Sequence, residues 1–107
     1  MELCYGIKLQ YDVLRSEAYR LELLKTKHQQ LAIMCLKPNE NIPAEVHDVD
    51  QFIYIVFGSG LAIINDNHML FSSGDALIIP AHTKHEIINN SQDKVKLFTI
   101  YSPHETE

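Results

Sequence analysis

The chain has 107 residues, of which nine are basic and fourteen acidic, giving a formal charge of −5. That length specifies one domain, able to bury about two thirds of the surface its unfolded chain exposes, and the acidic balance argues against a broad nucleic-acid or anionic-membrane surface. No apolar run approaches the ~20 residues of a membrane helix, and the opening MELCYGIKLQYD lacks the basic cluster and apolar core of a signal peptide. The chain therefore reads as soluble and cytoplasmic. Its two cysteines, Cys4 and Cys35, are too few for a secreted disulfide framework and read as reduced, buried thiols.

Residues 1–18 form an N-terminal segment in which YDVLRSEA, residues 11–18, has helical character. From residue 19 onward short apolar runs alternate with turn signals. YRLELL alternates apolar and polar residues, LAIMCL is continuous, and KPNENIP breaks the chain with two prolines and two asparagines. QFIYIVF follows and closes in GSG. LAII and HMLF then flank NDN, a triplet suited to a hairpin turn. ALIIP, EIIN and VKLFTIY complete the series before Pro103 ends regular structure. About eight strands at this spacing predict an all-β sandwich or barrel over residues 19–107. Because several runs are continuously apolar, both faces of those strands are expected to be covered, one by the barrel interior and the other by a second subunit.

The chemistry concentrates in AEVHDVDQFIYIVFGSG, residues 44–60. On a strand, residues two apart share a face, so Glu45, His47 and Gln51 are expected to present a carboxylate, an imidazole and an amide to one point. A second segment, GDALIIPAHTKHEIIN, supplies His85, which antiparallel pairing can bring opposite the first three. Imidazole nitrogens bind borderline divalent metals, and a carboxylate offsets the charge of the dication. The bland alternative is a polar patch satisfied by hydrogen bonds alone.

These segments resemble the paired motifs of the cupin superfamily. Its first motif runs glycine, His-x-His, glutamate, glycine, and here the same spacing is occupied by Asn39, Glu45, His47, Gln51 and Gly58. The second maps onto Gly74, Pro80, His82, His85 and Asn89, with His82 where the family has an inner glycine. TKHQQLAIMCLKPNENI, EVHDVDQF, IIPAHTKHEIIN and LFTIYSPHE are further similar to small single-domain cupins with a Glu-x-His and Asp-Gln-Phe pattern, often given sugar-phosphate-isomerase-like names. The resemblance implies a double-stranded β-helix jelly roll over residues 19–107, one divalent transition metal (zinc, manganese, iron or nickel) on Glu45, His47, Gln51 and His85, and a homodimer. The usual set of three histidines and one glutamate carries one anionic group, and so does the set found here.

His82, on the turn before His85, reads as an exposed loop residue, a group supporting the ligands or substrate, or an accessory ligand. His28, His68 and His104 are expected to face solvent. Parity points Glu86 away from the metal and gives Asp50 a fold-stabilising hydrogen bond near the turn. No helix or Gly-Lys follows GSG, so a phosphate loop has no support, and no Gly-x-Ser-x-Gly nucleophile motif is present. Cys35 reads as an inert thiol in mid-strand.

The expected function is metal-assisted binding of a small polar molecule, a sugar or an oxo or hydroxy acid, with an isomerase-type Lewis-acid reaction in which Glu45 or His82 serves as base. A non-catalytic binding or sensor module is the alternative, and a metal-dependent dioxygenase a further one.

Overall fold

The computed structural model describes residues 6–102; Cys4, Pro103 and His104 lie outside the described residues. One short helix, α1 (Leu9–Arg15), precedes nine strands: β1 (Arg20–Lys25), β2 (Gln30–Leu36), β3 (Asn41–Glu45), β4 (Asp50–Phe57), β5 (Ser59–Ile64), β6 (Asn67–Ser72), β7 (Ala76–Ile79), β8 (His85–Ile88) and β9 (Val95–Ser102). They form a five-stranded sheet in the order β1-β2-β9-β4-β7 and a four-stranded sheet in the order β3-β8-β5-β6. Every pairing is antiparallel. This is the jelly roll expected from the resemblance.

The core lies between the sheets. β4 shows the alternation that builds it: Gln51, Ile53 and Ile55 are buried while Phe52, Tyr54 and Val56 are only half-buried. Ile53, Ile55 and Leu97 of one sheet meet Ile42, Ala62 and Ile87 of the other, each large side chain contributing roughly 1.5–3 kcal/mol by leaving water. β5 and β6 are joined by Asn65 and Asp66, at φ 50° and 68°, the pair of left-handed residues that a two-residue hairpin needs. The NDN expectation is met.

Two sequence expectations change. KPNENIP was expected to break the chain, yet Asn41–Glu45 forms a strand. β3 tolerates Pro43 because it is the edge of its sheet and because the register slips there: Ile42 pairs with Ile87, but Glu45 pairs with His85. The second change concerns β2, buried on both faces from Ala32 to Leu36. The outer cover there comes from the chain's own helix. α1 packs on β2, β4 and β9 and buries Val13 to 1% exposure. It is fastened by Lys96, whose Nζ donates to the carbonyl of Leu14 at 2.5 Å. Cys35 is buried there, and burial pushes its thiol pKa up, in line with an inert sulfur.

The glycine positions of both motifs share one conformation. Asn39, Gly58, Gly74 and His82 have φ of 70°, 104°, 93° and 66°. A Cβ on Gly58 would strike the Lys94 carbonyl oxygen and come within 2.9 Å of Val95 Cα, whereas one on Gly74 would meet nothing within 4 Å. Gly74→Ala is therefore expected to lose only the left-handed penalty, about 1 kcal/mol. Gly58→Ala should lose about 3 kcal/mol or more, because backbone must also move. Urea unfolding midpoints measure both, and equal losses would show that the Lys94–Val95 backbone yields freely.

Candidate metal centre

The register slip in β3 decides where Glu45 points. Ile42, Ile87 and His85 lie on the inner face; in an unbroken strand Glu45, three residues beyond Ile42, would point outward. The extra residue turns it inward against His85. His47 follows in the loop to β4, and Gln51 sits on β4 between Ile79 of β7 and Tyr101 of β9. Glu45, His47 and Gln51 thus do not share one strand, as the sequence reading had it. They come from an edge strand of one sheet, a connecting loop and a central strand of the other.

The convergence itself is as expected for three of the four. One ligand atom each from Glu45, His47 and His85 lies within 4.8 Å of the others. His47 Nε2 is 2.8 Å from Glu45 Oε1 and His85 Nε2 is 3.8 Å from the same oxygen. The His47 and His85 rings are 5.2 Å apart. Two ligands of one ion at ~2.1 Å are separated by no more than about 4.2 Å, so small side-chain adjustments gather these three atoms round a metal.

Hydrogen bonds orient two of the donors. His85 Nδ1 lies 3.0 Å from the carbonyl of Thr83, which can only accept, so Nδ1 carries the proton and Nε2 keeps its lone pair. Gln51 Nε2 donates to Thr99 Oγ1 at 2.9 Å and reaches toward Tyr101 Oη at 3.4 Å, which leaves Oε1 as the outward end of the amide. Among the described residues, Gln51 Oε1 and His85 Nε2 are the two buried side-chain polar atoms without a hydrogen-bond partner. Each such orphan costs roughly 1–3 kcal/mol. Both are electron-pair donors of the kind a divalent cation takes up, and His85 Nε2 belongs to the Glu45, His47 and His85 group. The donor set fits a metal on that observation.

Exposure grades across the centre: His85 is 1% exposed, His47 31% and Glu45 37%. The open side gives onto a cavity of about 570 Å³ bordered by Tyr19, Met34, Ile42, Glu45, His47 and Tyr101, well within the size range of small-molecule sites. Burial, then the charges of Glu45 and Glu40, push the Tyr19 hydroxyl pKa up, and that hydroxyl donates to the carbonyl of Asn41 at 2.9 Å.

The loops that carry the donors are clamped together. His82 N–H donates to the His47 carbonyl at 2.7 Å and Ala81 N–H to Asp50 Oδ1 at 2.8 Å, the hydrogen bond expected of Asp50. Glu86 points away from the donors and accepts from Asn41 Nδ2. His28 and His68 are exposed. His82 is 74% exposed, 3.6 Å from the still more exposed Asp48, and does not border the cavity. Sequence reasoning missed Tyr101, whose ring packs against His47 at 5.5 Å and under the guanidinium of Arg20 at 5.7 Å. Its inward parity with Thr99 on β9 was the available signal.

The cupin domain family matches residues 32–101. An uncharacterized protein of Acanthamoeba polyphaga mimivirus is 42% identical over 105 residues, covering 92% of this chain and 65% of its own length. The uncharacterized protein YrkC of Bacillus subtilis strain 168 is 33% identical over 96 residues, covering 83% of this chain and 52% of its own. The chain thus spans between about half and two thirds of these curated relatives. Among solved structures, BH2720 of Bacillus halodurans superposes with a TM-score of 0.87 at 28% identity, over 96% of this chain and 83% of that one.

The backbone at position 82 yields a test of the accessory-ligand reading. His82→Gly relieves a left-handed residue and is expected to raise stability by about 1 kcal/mol in urea unfolding, with metal content per chain unchanged. A variant that loses metal would make His82 part of the centre.

Proposed function

The chain belongs to the cupin domain family, and from that premise we propose that it holds one divalent transition metal on Glu45, His47, Gln51 and His85 and binds a small oxygenated molecule there. The ligand class is a sugar or an oxo or hydroxy acid, and the reaction an isomerase-type proton transfer. The observation that carries this reading is the orphaned buried His85 Nε2 gathered with Glu45 and His47, together with a second orphaned buried donor, Gln51 Oε1. Imidazole nitrogens with carboxylate and amide oxygens suit zinc, manganese, iron or nickel. When bound, the metal supplies Lewis-acid polarisation of a ligand oxygen.

The chain's own groups do the rest. Thr99 and Tyr101 orient the Gln51 amide, and the Thr83 carbonyl fixes the His85 tautomer. Met34, Ile42 and Val49 exclude water from one side of the cavity. Glu45, the more open carboxylate end of the centre, is the group that can accept a proton from a bound molecule, with the Tyr101 hydroxyl as the nearby donor. A second reading, binding without turnover, is favoured by one observation: Glu45 and His47 are the only carboxylate and imidazole bordering the cavity among the described residues, so no acid–base pair stands apart from the ligand set. A ligand that raises the melting temperature yet is recovered unchanged after long incubation decides for it.

Elemental analysis tests the metal directly. Protein purified without chelator is expected to carry close to one transition metal per chain and the His47→Ala, His85→Ala double variant none. Metal at a hundredfold excess over its Kd should stabilise the native chain by about 2.7 kcal/mol and leave the variant's unfolding unmoved. Both proteins staying empty after metal is supplied overturns the proposal.

We also propose a homodimer through the outer face of the five-stranded sheet. Leu31, Ile100, Phe52 and Ile78 lie in one cross-strand row, Ile78 is 63% exposed, and a second copy of the same strip covers it isologously. Light scattering is expected to give twice 12.3 kDa and to fall to the monomer in Ile78→Lys; a monomeric native chain refutes it.

A further inference from the structure

The wall of the cavity facing the centre is basic. Arg20 pairs in register with Met34, and Lys25 with Gln30, which itself pairs with Tyr101. Met34 and Tyr101 border the cavity, so parity turns Arg20 and Lys25 to the same side. Lys27, in the β1–β2 turn, borders it as well, and Glu22, between Arg20 and Lys25, does not. Three of the nine Lys and Arg residues of an acidic chain thus face one cavity whose single bordering carboxylate among the described residues is Glu45.

These cations differ from the others near the core. Lys94 and Lys96 are paired with Glu17, while among the described residues no carboxylate lies within ion-pair distance of Arg20, Lys25 or Lys27. The Arg20 guanidinium is held over the face of Tyr101 at 5.7 Å from the ring centroid, a cation–π contact that restricts it and leaves its N–H donors unspent. The same ring touches His47, so Arg20 and the centre are one side chain apart. Lysines on an edge strand also serve to block strand addition, but that role does not require Arg20 to be pinned on an inward-facing ring.

We propose that Arg20, assisted by Lys25 and Lys27, holds the anionic end of the bound molecule, so that the ligand is an oxyacid, with a carboxylate or phosphate on Arg20 and a hydroxyl or carbonyl oxygen at the centre, and not a neutral sugar. This rests on the metal-centre reading and narrows its ligand class. With a dication in place, Glu45 leaves the centre net positive and the wall adds three charges more; an anion is the complement that this field selects. A planar carboxylate or phosphate takes two parallel N–H bonds from the guanidinium, which fixes the orientation of the remaining oxygens toward His47 and Glu45.

The experiment is calorimetric titration of metal-loaded protein with gluconate, ribose 5-phosphate and xylitol, run on the native chain, on Arg20→Gln and on Lys37→Gln as a same-charge surface control. At least one anion is expected to bind about tenfold or more tighter than xylitol, to weaken about tenfold in Arg20→Gln, and to be unchanged in Lys37→Gln. Whichever of gluconate and ribose 5-phosphate binds more tightly names the anionic group. Metal content is measured in parallel on each protein. A metal-loaded chain that binds xylitol as well as either anion, or an Arg20→Gln chain that keeps both metal and anion affinity, overturns the inference while the metal centre stands. Loss of metal in Arg20→Gln also overturns it, because Arg20 then supports the centre and not the ligand. An empty native chain fails at the earlier step.

Discussion

One extra residue in β3 is the constraint from which the centre follows. Between the Ile42–Ile87 pair and the Glu45–His85 pair the edge strand uses three steps where its partner uses two. The bulge reverses the parity of everything beyond it. Glu45 arrives on the inner face, opposite the buried His85, and the chain leaves the strand there to carry His47 across to the other sheet. Pro43 makes the bulge cheap, since it has no N–H to leave unpaired at an edge. Were the register continuous, Glu45 would join the exposed outer residues and His85 would lose the carboxylate 3.8 Å from its Nε2.

The fold concentrates its unfavourable terms near this end. Two buried donors go without partners, and His82 holds a left-handed conformation that glycine would adopt at lower cost. Opposing these are the apolar core and the ties between loops, His82 to His47 and Ala81 to Asp50. Local rules broken beside a cluster of donors are of the kind that functional sites break. On the proposed metal-centre reading, the groups that destabilise the chain alone would become ligands, and stability and loading would be linked.

The sequence carried the spacing of the donors, the inward parity of Gln51, the NDN hairpin and the jelly roll itself, because all of these depend on near-neighbour periodicity or on turn chemistry. It hid β3, because Pro and Asn residues signal a turn wherever they stand and their tolerance at a bulged edge depends on the partner strand. For the same reason Glu45, His47 and Gln51 read as one strand. The helix was placed two residues late at its start and three at its end, since α1 has no capping side chain and is held by Val13 and Lys96 instead. Tyr101 and Arg20 were invisible for another cause: neither sits in a motif, and only the register of β1, β2 and β9 brings them together.

That register would let a chain of net negative charge host the proposed oxyacid. Long-range repulsion between an anion and a chain of charge −5 is screened beyond about 8 Å at physiological ionic strength, whereas the cavity wall acts within contact distance across a floor of Met34, Ile42 and Val49. Field lines from the wall cations and the centre converge in this low-dielectric space. On that proposal the exterior charge would serve solubility and the interior charge would select the ligand. The two requirements are met by opposite signs because Arg20, Lys25 and Lys27 border the cavity while Glu45 is the one carboxylate to do so among the described residues.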